Sequence, residues 1–141
     1  ARVALGANPQ QTLLAFREAE AYPGPSLILA YSHCIAHGIN MQRGLDQQHL
    51  AVDSGHWPVV RYNPAVRESG ANPFVLDSAR PKIPLKQYRY NEVRYKVLAY
   101  TNPKEAEQLM ELAQHAVNRR WSVYEEMAAR SGTDFQPIFK Q

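Results

Sequence analysis

Apolar positions along this chain switch between a helical period, a continuous run and short strand-like groups, and each switch marks an element. Ala1-Arg2-Val3-Ala4-Leu5-Gly6 reads as the tail of a strand whose earlier part is absent. It runs straight into Asn8-Pro9-Gln10-Gln11, where an N-cap, a proline at the first helical position and a glutamine three beyond the cap predict a helix start. Leu13, Phe16 and Ala19 recur on one face of that helix through to Tyr22, and Pro23-Gly24-Pro25 stops it. Residues 26–31 are a continuous apolar run, the pattern of a strand covered on both faces in a parallel sheet. Strand, helix, strand is thus the expected order, with a right-handed crossover.

Further along, Leu45, His49 and Val52 fall at helical spacing, and Gly55 suits a left-handed cap at the end of that short helix. Trp57-Pro58-Val59-Val60-Arg61-Tyr62 and Phe74-Val75-Leu76 read as two strands of a small antiparallel ribbon, with Asn63-Pro64 and Gly70-Ala71-Asn72-Pro73 as turns. Arg80-Pro81-Lys82-Ile83-Pro84 must be extended, because a proline disfavours helical backbone in the residue before it. Leu85 to Tyr100 is predicted as one helix, with Tyr88, Val93 and Tyr95 on different surfaces. Asn102-Pro103-Lys104-Glu105 then repeats the cap, proline and capping-box pattern. It opens a helix of about 25 residues, roughly 38 Å long. Ala106, Met110, Ala113, Val117, Trp121, Tyr124 and Ala128 form its apolar stripe, which must face a partner surface.

Composition narrows the class without naming a function. The 141 residues suit one domain, and 45% hydrophobic with 21% charged residues is ordinary for a soluble protein. No apolar stretch approaches the roughly 18 residues a spanning helix needs, and no signal peptide opens the chain. The net charge of +3 is spread along the sequence, whereas nucleic-acid footprints concentrate their charge. Neither a membrane nor a nucleic acid is therefore expected as a partner. With a single cysteine no internal disulfide can form, in keeping with a reducing cytoplasm.

That cysteine, Cys34, carries most of the chemical interest. It lies in Tyr31-Ser32-His33-Cys34-Ile35-Ala36-His37-Gly38, just after the apolar run, and open α/β sheets place ligands beyond the carboxyl ends of their strands. Three readings compete: a small buried hydrophobe, a Cys-His-His zinc site with His33 and His37, and one ligand of a centre whose other ligands lie elsewhere. Lys82, Lys86, Arg89, Arg94 and Lys96, interleaved with Tyr88, Tyr90 and Tyr95, could be drawn as a base-stacking platform. Solvated charges beside packing aromatics explain them more simply. The spacing of Glu18, Glu20, Asp46, Asp53 and Asp77 defines no shared carboxylate site, and there is no phosphate-cradling glycine loop, Gly-Asp-Gly or Cys-x-x-Cys.

Several of these segments together resemble a known family. Gly6-Ala7-Asn8, the stretch Ala15-Phe16-Arg17-Glu18-Ala19-Glu20-Ala21-Tyr22-Pro23-Gly24-Pro25-Ser26-Leu27-Ile28 and the Cys34 loop resemble the C-terminal part of pyruvate:ferredoxin (flavodoxin) oxidoreductases. Ala51-Val52-Asp53-Ser54-Gly55-His56-Trp57-Pro58, Arg61-Tyr62-Asn63-Pro64, Asn72-Pro73-Phe74, Leu76-Asp77-Ser78 and Pro81-Lys82-Ile83-Pro84-Leu85 resemble the same family in the same order. The likeness runs from about residue 3 to about residue 130.

The resemblance implies a thiamine-diphosphate enzyme that oxidatively decarboxylates pyruvate, forms acetyl-CoA, and passes electrons singly through 4Fe-4S clusters to ferredoxin or flavodoxin. It also implies that Cys34 is the fourth cysteine ligand of the cluster nearest the thiamine, since such clusters take four thiolates that need not be close in sequence. Ser32, His33 and His37 would then be neighbours able to tune it by hydrogen bonds. The family's Gly-Asp-Gly thiamine and magnesium motif, its other cluster cysteines and its pyruvate-binding segments are not among these residues. The expectation is therefore a fragment that alone binds no thiamine diphosphate or Mg2+ and turns over no pyruvate.

The expected fold is α/β, the C-terminal part of a doubly wound thiamine-diphosphate-binding domain with a mostly helical extension. Residues 1–56 would end that domain and include the cluster-ligand loop, and 57–141 would form the extension, a small β ribbon followed by helices. The expected partners are the rest of the same polypeptide, ferredoxin or flavodoxin, and a second copy in a homodimer. The alternative is a free-standing helical interaction module in which Cys34 is structural.

Overall fold

In the computed structural model, which describes residues 1–132, Asn8 caps the first helix as its sequence requires. Its side chain accepts the Gln11 N–H at 2.9 Å, Pro9 fills the first position, and α1 (Pro9–Ala21) ends ahead of Pro23. The face it buries is not the expected one. Gln11, Thr12 and Ala15 pack inward, while Leu13 and Phe16 stay more than half exposed. Periodicity locates an apolar stripe but not what covers it, and here the inward face is held by polar groups. Gln11 Nε2 donates to the Arg2 carbonyl and to Asp77, and Arg61 forks across Asp77 at 2.8 and 2.9 Å while also pairing with Glu18.

A mixed four-stranded sheet underlies this helix, in the order β2-β1-β3-β4. β1 (Arg2–Val3) and β2 (Leu29–Ala30) are parallel, as the strand-helix-strand reading required. β3 (Val60–Tyr62) and β4 (Phe74–Leu76) form the expected antiparallel ribbon, with Val60 opposite Leu76 and Tyr62 opposite Phe74. The ribbon does not stand apart, because β3 also pairs antiparallel with β1, Val60 opposite Arg2. One expectation fails at the edge. The run 26–31 is not a strand covered on both faces: only two of its residues are paired, both are exposed, and Leu27 is 70% exposed.

α2 (Gly44–Asp53) ends, as expected, before a left-handed Gly55 at φ +72°. Residues 80–84 stay out of helix, with Pro84 extended at φ −68° and ψ 148°, and the helix predicted from Leu85 to Tyr100 is two: α3 (Leu85–Arg89) and α4 (Val93–Thr101). The break has a cause in packing. Glu92 takes extended backbone, φ −102° and ψ 123°, and its carboxylate is buried at 2% exposure among hydrogen-bond donors. α5 (Pro103–Ala129) is the expected long helix, 27 residues opened by Asn102, whose side chain accepts the Glu105 N–H. Ala106, Val117 and Trp121 of its stripe are buried, Met110, Ala113 and Tyr124 half-buried, and Ala128 exposed. Residues 133–141 of the expected extension lie outside the described residues.

Two apolar clusters make the core. Ala51, Leu85, Tyr88 and Val117 join α2, α3 and α5, while Ala4, Val52 and Val59 join the sheet to α2. Tyr31 and Trp57 pack against both, with ring centroids 5.6 Å apart, and Trp57 Nε1 donates to the Val3 carbonyl. The fold is thus mixed α/β and mostly helical. Among the described residues no helix is long and apolar enough to cross a membrane.

Candidate functional site

The loop that carries Cys34 is pinned at both ends. Tyr31 continues the β1–β2 ladder through its N–H to the Val3 carbonyl at 2.9 Å, and its hydroxyl meets that of Tyr88 at 2.6 Å. Burial raises the pKa of both phenols, so the pair is uncharged and shares one hydrogen bond. On the other side of Tyr88 the His56 ring stacks at 4.6 Å.

Burial, helped by Arg89, Arg120 and Arg2 and opposed by Glu92, lowers the His56 pKa from 6.5 to about 4. The native ring is neutral where the unfolded one is protonated, so the contribution is full above pH 6.5 and is lost as pH falls towards 4. His56→Phe keeps an aromatic ring on Tyr88 without the titration. The thermal midpoint of the full-length protein should therefore fall less for His56→Phe than for the wild type between pH 7 and 5. Equal falls would show that His56 does not titrate in this way.

Cys34 sits beyond the Tyr31 anchor in extended backbone, with its thiol exposed and free. It precedes a 3-10 turn at Ile35–His37, closed by the His37 N–H on the Cys34 carbonyl at 3.1 Å and the Gly38 N–H on the Ile35 carbonyl at 2.9 Å. Within these residues Cys34 packs into neither apolar cluster. The histidines beside it have partners of their own. His33 Nδ1 lies 3.1 Å from Gln48 Nε2, and its ring covers Gly44, where a Cβ would come within 2.2 Å of Nε2. His37 Nδ1 lies 2.7 Å from Glu92 Oε2, and its Nε2 lies 2.8 Å from an Arg94 nitrogen. Among the described residues no three His, Cys, Asp or Glu side chains gather as a metal site.

The loop closes onto α4 at Gly38. Its φ of +73° is left-handed, and a Cβ there would meet Val93 at 2.6 Å, so glycine is required both by conformation and by space. Glu92, Gln47 and Gln48, which secure the loop, carry no sequence signal as site residues, and Arg94, a candidate for the base-stacking platform, secures it too. Glu92 sits between Arg89 and Arg94 in a helical pattern, and only the interruption of the helix turns it inward. The basic-aromatic set is dispersed: Tyr88 is in the core, Lys86 covers Tyr90, Arg89 covers Tyr95, and Arg94 serves His37.

What this arrangement offers chemically is one accessible sulfur on a tethered loop, beside two histidines that are already engaged. The class of protein comes from comparison, and the relatives that this chain matches are oxidoreductases. No family model matches the chain. It is 51% identical over 131 residues, 93% of its length, to a putative pyruvate-flavodoxin oxidoreductase of Synechocystis sp.. It is 52% identical over 130 residues, 92% of its length, to a pyruvate-flavodoxin oxidoreductase of Nostoc sp., and 42% identical over 128 residues, 91% of its length, to a pyruvate:ferredoxin oxidoreductase of Moorella thermoacetica. The chain belongs to the pyruvate-flavodoxin/ferredoxin oxidoreductase family, matching a C-terminal segment that is 11% of those relatives' length.

Proposed function

We propose that this chain is the segment of a pyruvate:flavodoxin or pyruvate:ferredoxin oxidoreductase that supplies one ligand, Cys34, to the 4Fe-4S cluster nearest the thiamine diphosphate. The parent converts pyruvate and coenzyme A to acetyl-CoA and CO2, and the two electrons released leave one at a time to flavodoxin or ferredoxin. Thiamine diphosphate and Mg2+ are held by the rest of the polypeptide, as are the other cluster cysteines. Residues 1–56 end the thiamine-diphosphate-type domain and 57–141 extend it, in a cytoplasmic, homodimeric enzyme. The segment by itself is inactive.

The observation that carries this reading is the exposed Cys34 thiol at the end of a strand, on a loop tied to its own scaffold, in a chain half identical to named oxidoreductases. The donor set fits the group. Soft thiolate sulfur is what iron-sulfur clusters take, and a partnerless, accessible thiol can meet a cluster on another body. The cluster, when bound, relays single electrons. Cys34 would bind one of its irons, and the loop, tied through Tyr31 and Gly38, holds the backbone of Cys34 relative to the sheet.

Alkylation tests this. In the anaerobic full-length enzyme Cys34 should resist iodoacetamide until iron is chelated away, and then react to completion. The peptide between Arg17 and Arg43 contains no other cysteine, so its mass reports Cys34 alone. Stoichiometric alkylation with the clusters intact would leave Cys34 a surface thiol and support an interaction module.

A further inference from the structure

We propose that Glu92, acting through His37, is a positioning residue for Cys34, so that the start of α4 sets the place of the cluster ligand. The inference rests on the reading of Cys34 as a ligand. It starts from a carboxylate where none is needed for packing. Glu92 is 2% exposed, and a buried charge is tolerated only when its oxygens are hydrogen-bonded. Both are: His37 Nδ1 stands 2.7 Å from Oε2, and Gln47 Nε2 donates to Oε1 at 3.0 Å while also reaching the Tyr88 carbonyl at 3.2 Å.

The protonation of His37 follows from its other neighbour. An arginine can only donate, so the Arg94 contact at 2.8 Å makes Nε2 an acceptor and leaves the ring proton on Nδ1, donated to Glu92. The ring is fixed at both nitrogens and cannot turn without losing one bond. That fixation reaches Cys34 through three residues of backbone. His37 donates its N–H to the Cys34 carbonyl, and Gly38 is pressed against Val93, whose N–H faces the Gly38 carbonyl at 3.4 Å. Glu92, Val93 and Arg94 thus all grip residues 37 and 38, and Tyr31 holds the other end of the loop through Tyr88. A surface loop with no positional task would not require a buried acid from fifty-five residues away.

The test uses the full-length enzyme, purified anaerobically, as wild type and as Glu92→Ala, Glu92→Gln, His37→Ala, Arg61→Ala and Cys34→Ser. Partners behind a metal ligand typically change retention of the metal about 10- to 100-fold. Glu92→Ala and His37→Ala should therefore release iron to a chelator at least about tenfold faster, and amides 34–38 should exchange hydrogen faster. The electron-paramagnetic spectrum of the reduced cluster should also shift, which general loosening elsewhere would not produce. Glu92→Gln keeps an acceptor for His37 and should recover most of the retention. Arg61→Ala breaks a separate network between α1, β3 and β4, and should leave iron release and spectrum as in the wild type. Unchanged release and spectrum in Glu92→Ala and His37→Ala, with the cluster lost in Cys34→Ser, would overturn the positioning role alone. A cluster that survives Cys34→Ser would overturn the ligand reading and the positioning role with it. Should Glu92→Ala fail to fold, His37→Ala, whose side chain is 30% exposed, decides the matter on the same readouts.

Discussion

Serine in place of Cys34 should remove about four iron atoms per full-length chain and the signal of one reduced cluster. The two side chains differ by one atom, but a serine hydroxyl is a hard oxygen donor that remains protonated near neutral pH, while the thiol readily supplies the thiolate a cluster binds. Because Cys34 is exposed and packs into neither core cluster, the exchange of side chains should shift the stability of the iron-free enzyme, compared with iron-free wild type, by no more than about 0.5 kcal/mol. Iron and stability therefore separate. Iron analysis and electron-paramagnetic resonance report the first, and thermal melting the second. A full iron complement with normal electron transfer to flavodoxin or ferredoxin would remove Cys34 from the ligand set. Loss of iron together with collapse of the fold beyond that of iron-free wild type would mean that the residue acts through packing.

A second large effect is expected of the 141 residues studied alone. Leu13, Leu14 and Phe16 on α1, Leu27 and Leu29 at the sheet edge and Ile35 beside Cys34 are each between 42% and 71% exposed. Apolar patches of this kind mark surfaces that another body covers, and an unpaired strand edge beside them is a site for self-association. The isolated chain should bind a hydrophobic dye strongly, scatter light at micromolar concentration and keep its helical signal after tertiary order is lost. The full-length enzyme should bind the dye far less per chain. A monodisperse monomer that melts cooperatively with little dye bound would show that these residues are self-sufficient.

The same apolar positions explain what the sequence could and could not reveal. Caps were legible because they are local: Asn8 with Pro9 and Asn102 with Pro103 act within one turn, and both open helices where their chemistry says they should. The hairpin of β3 and β4 and the non-helical proline segment are local too. Coverage is not. Leu13 and Phe16 announce an apolar face without naming its partner, and the run 26–31 reads as doubly covered although β2 is an exposed edge. Glu92 shows the same limit from the polar side, since the helical pattern through it gives no sign of the His37 and Gln47 donors that draw it inward. Cys34 stood out by being the sole cysteine, and the role proposed for it came from resemblance; the contacts that fix its loop came only from the fold.

The position of β1 in the sheet has a consequence for how the chain is made. β3 and β4 lie close in sequence and can pair as soon as both have emerged, whereas β1 must wait for Val60 before its second edge is occupied. At about 5–20 residues per second of synthesis, that edge stays open for roughly 3–12 seconds. During that interval the open edge is available to any other unpaired strand, including one from the rest of the same polypeptide, or to a chaperone, and slower translation through residues 4–60 would lengthen the exposure without altering the finished fold.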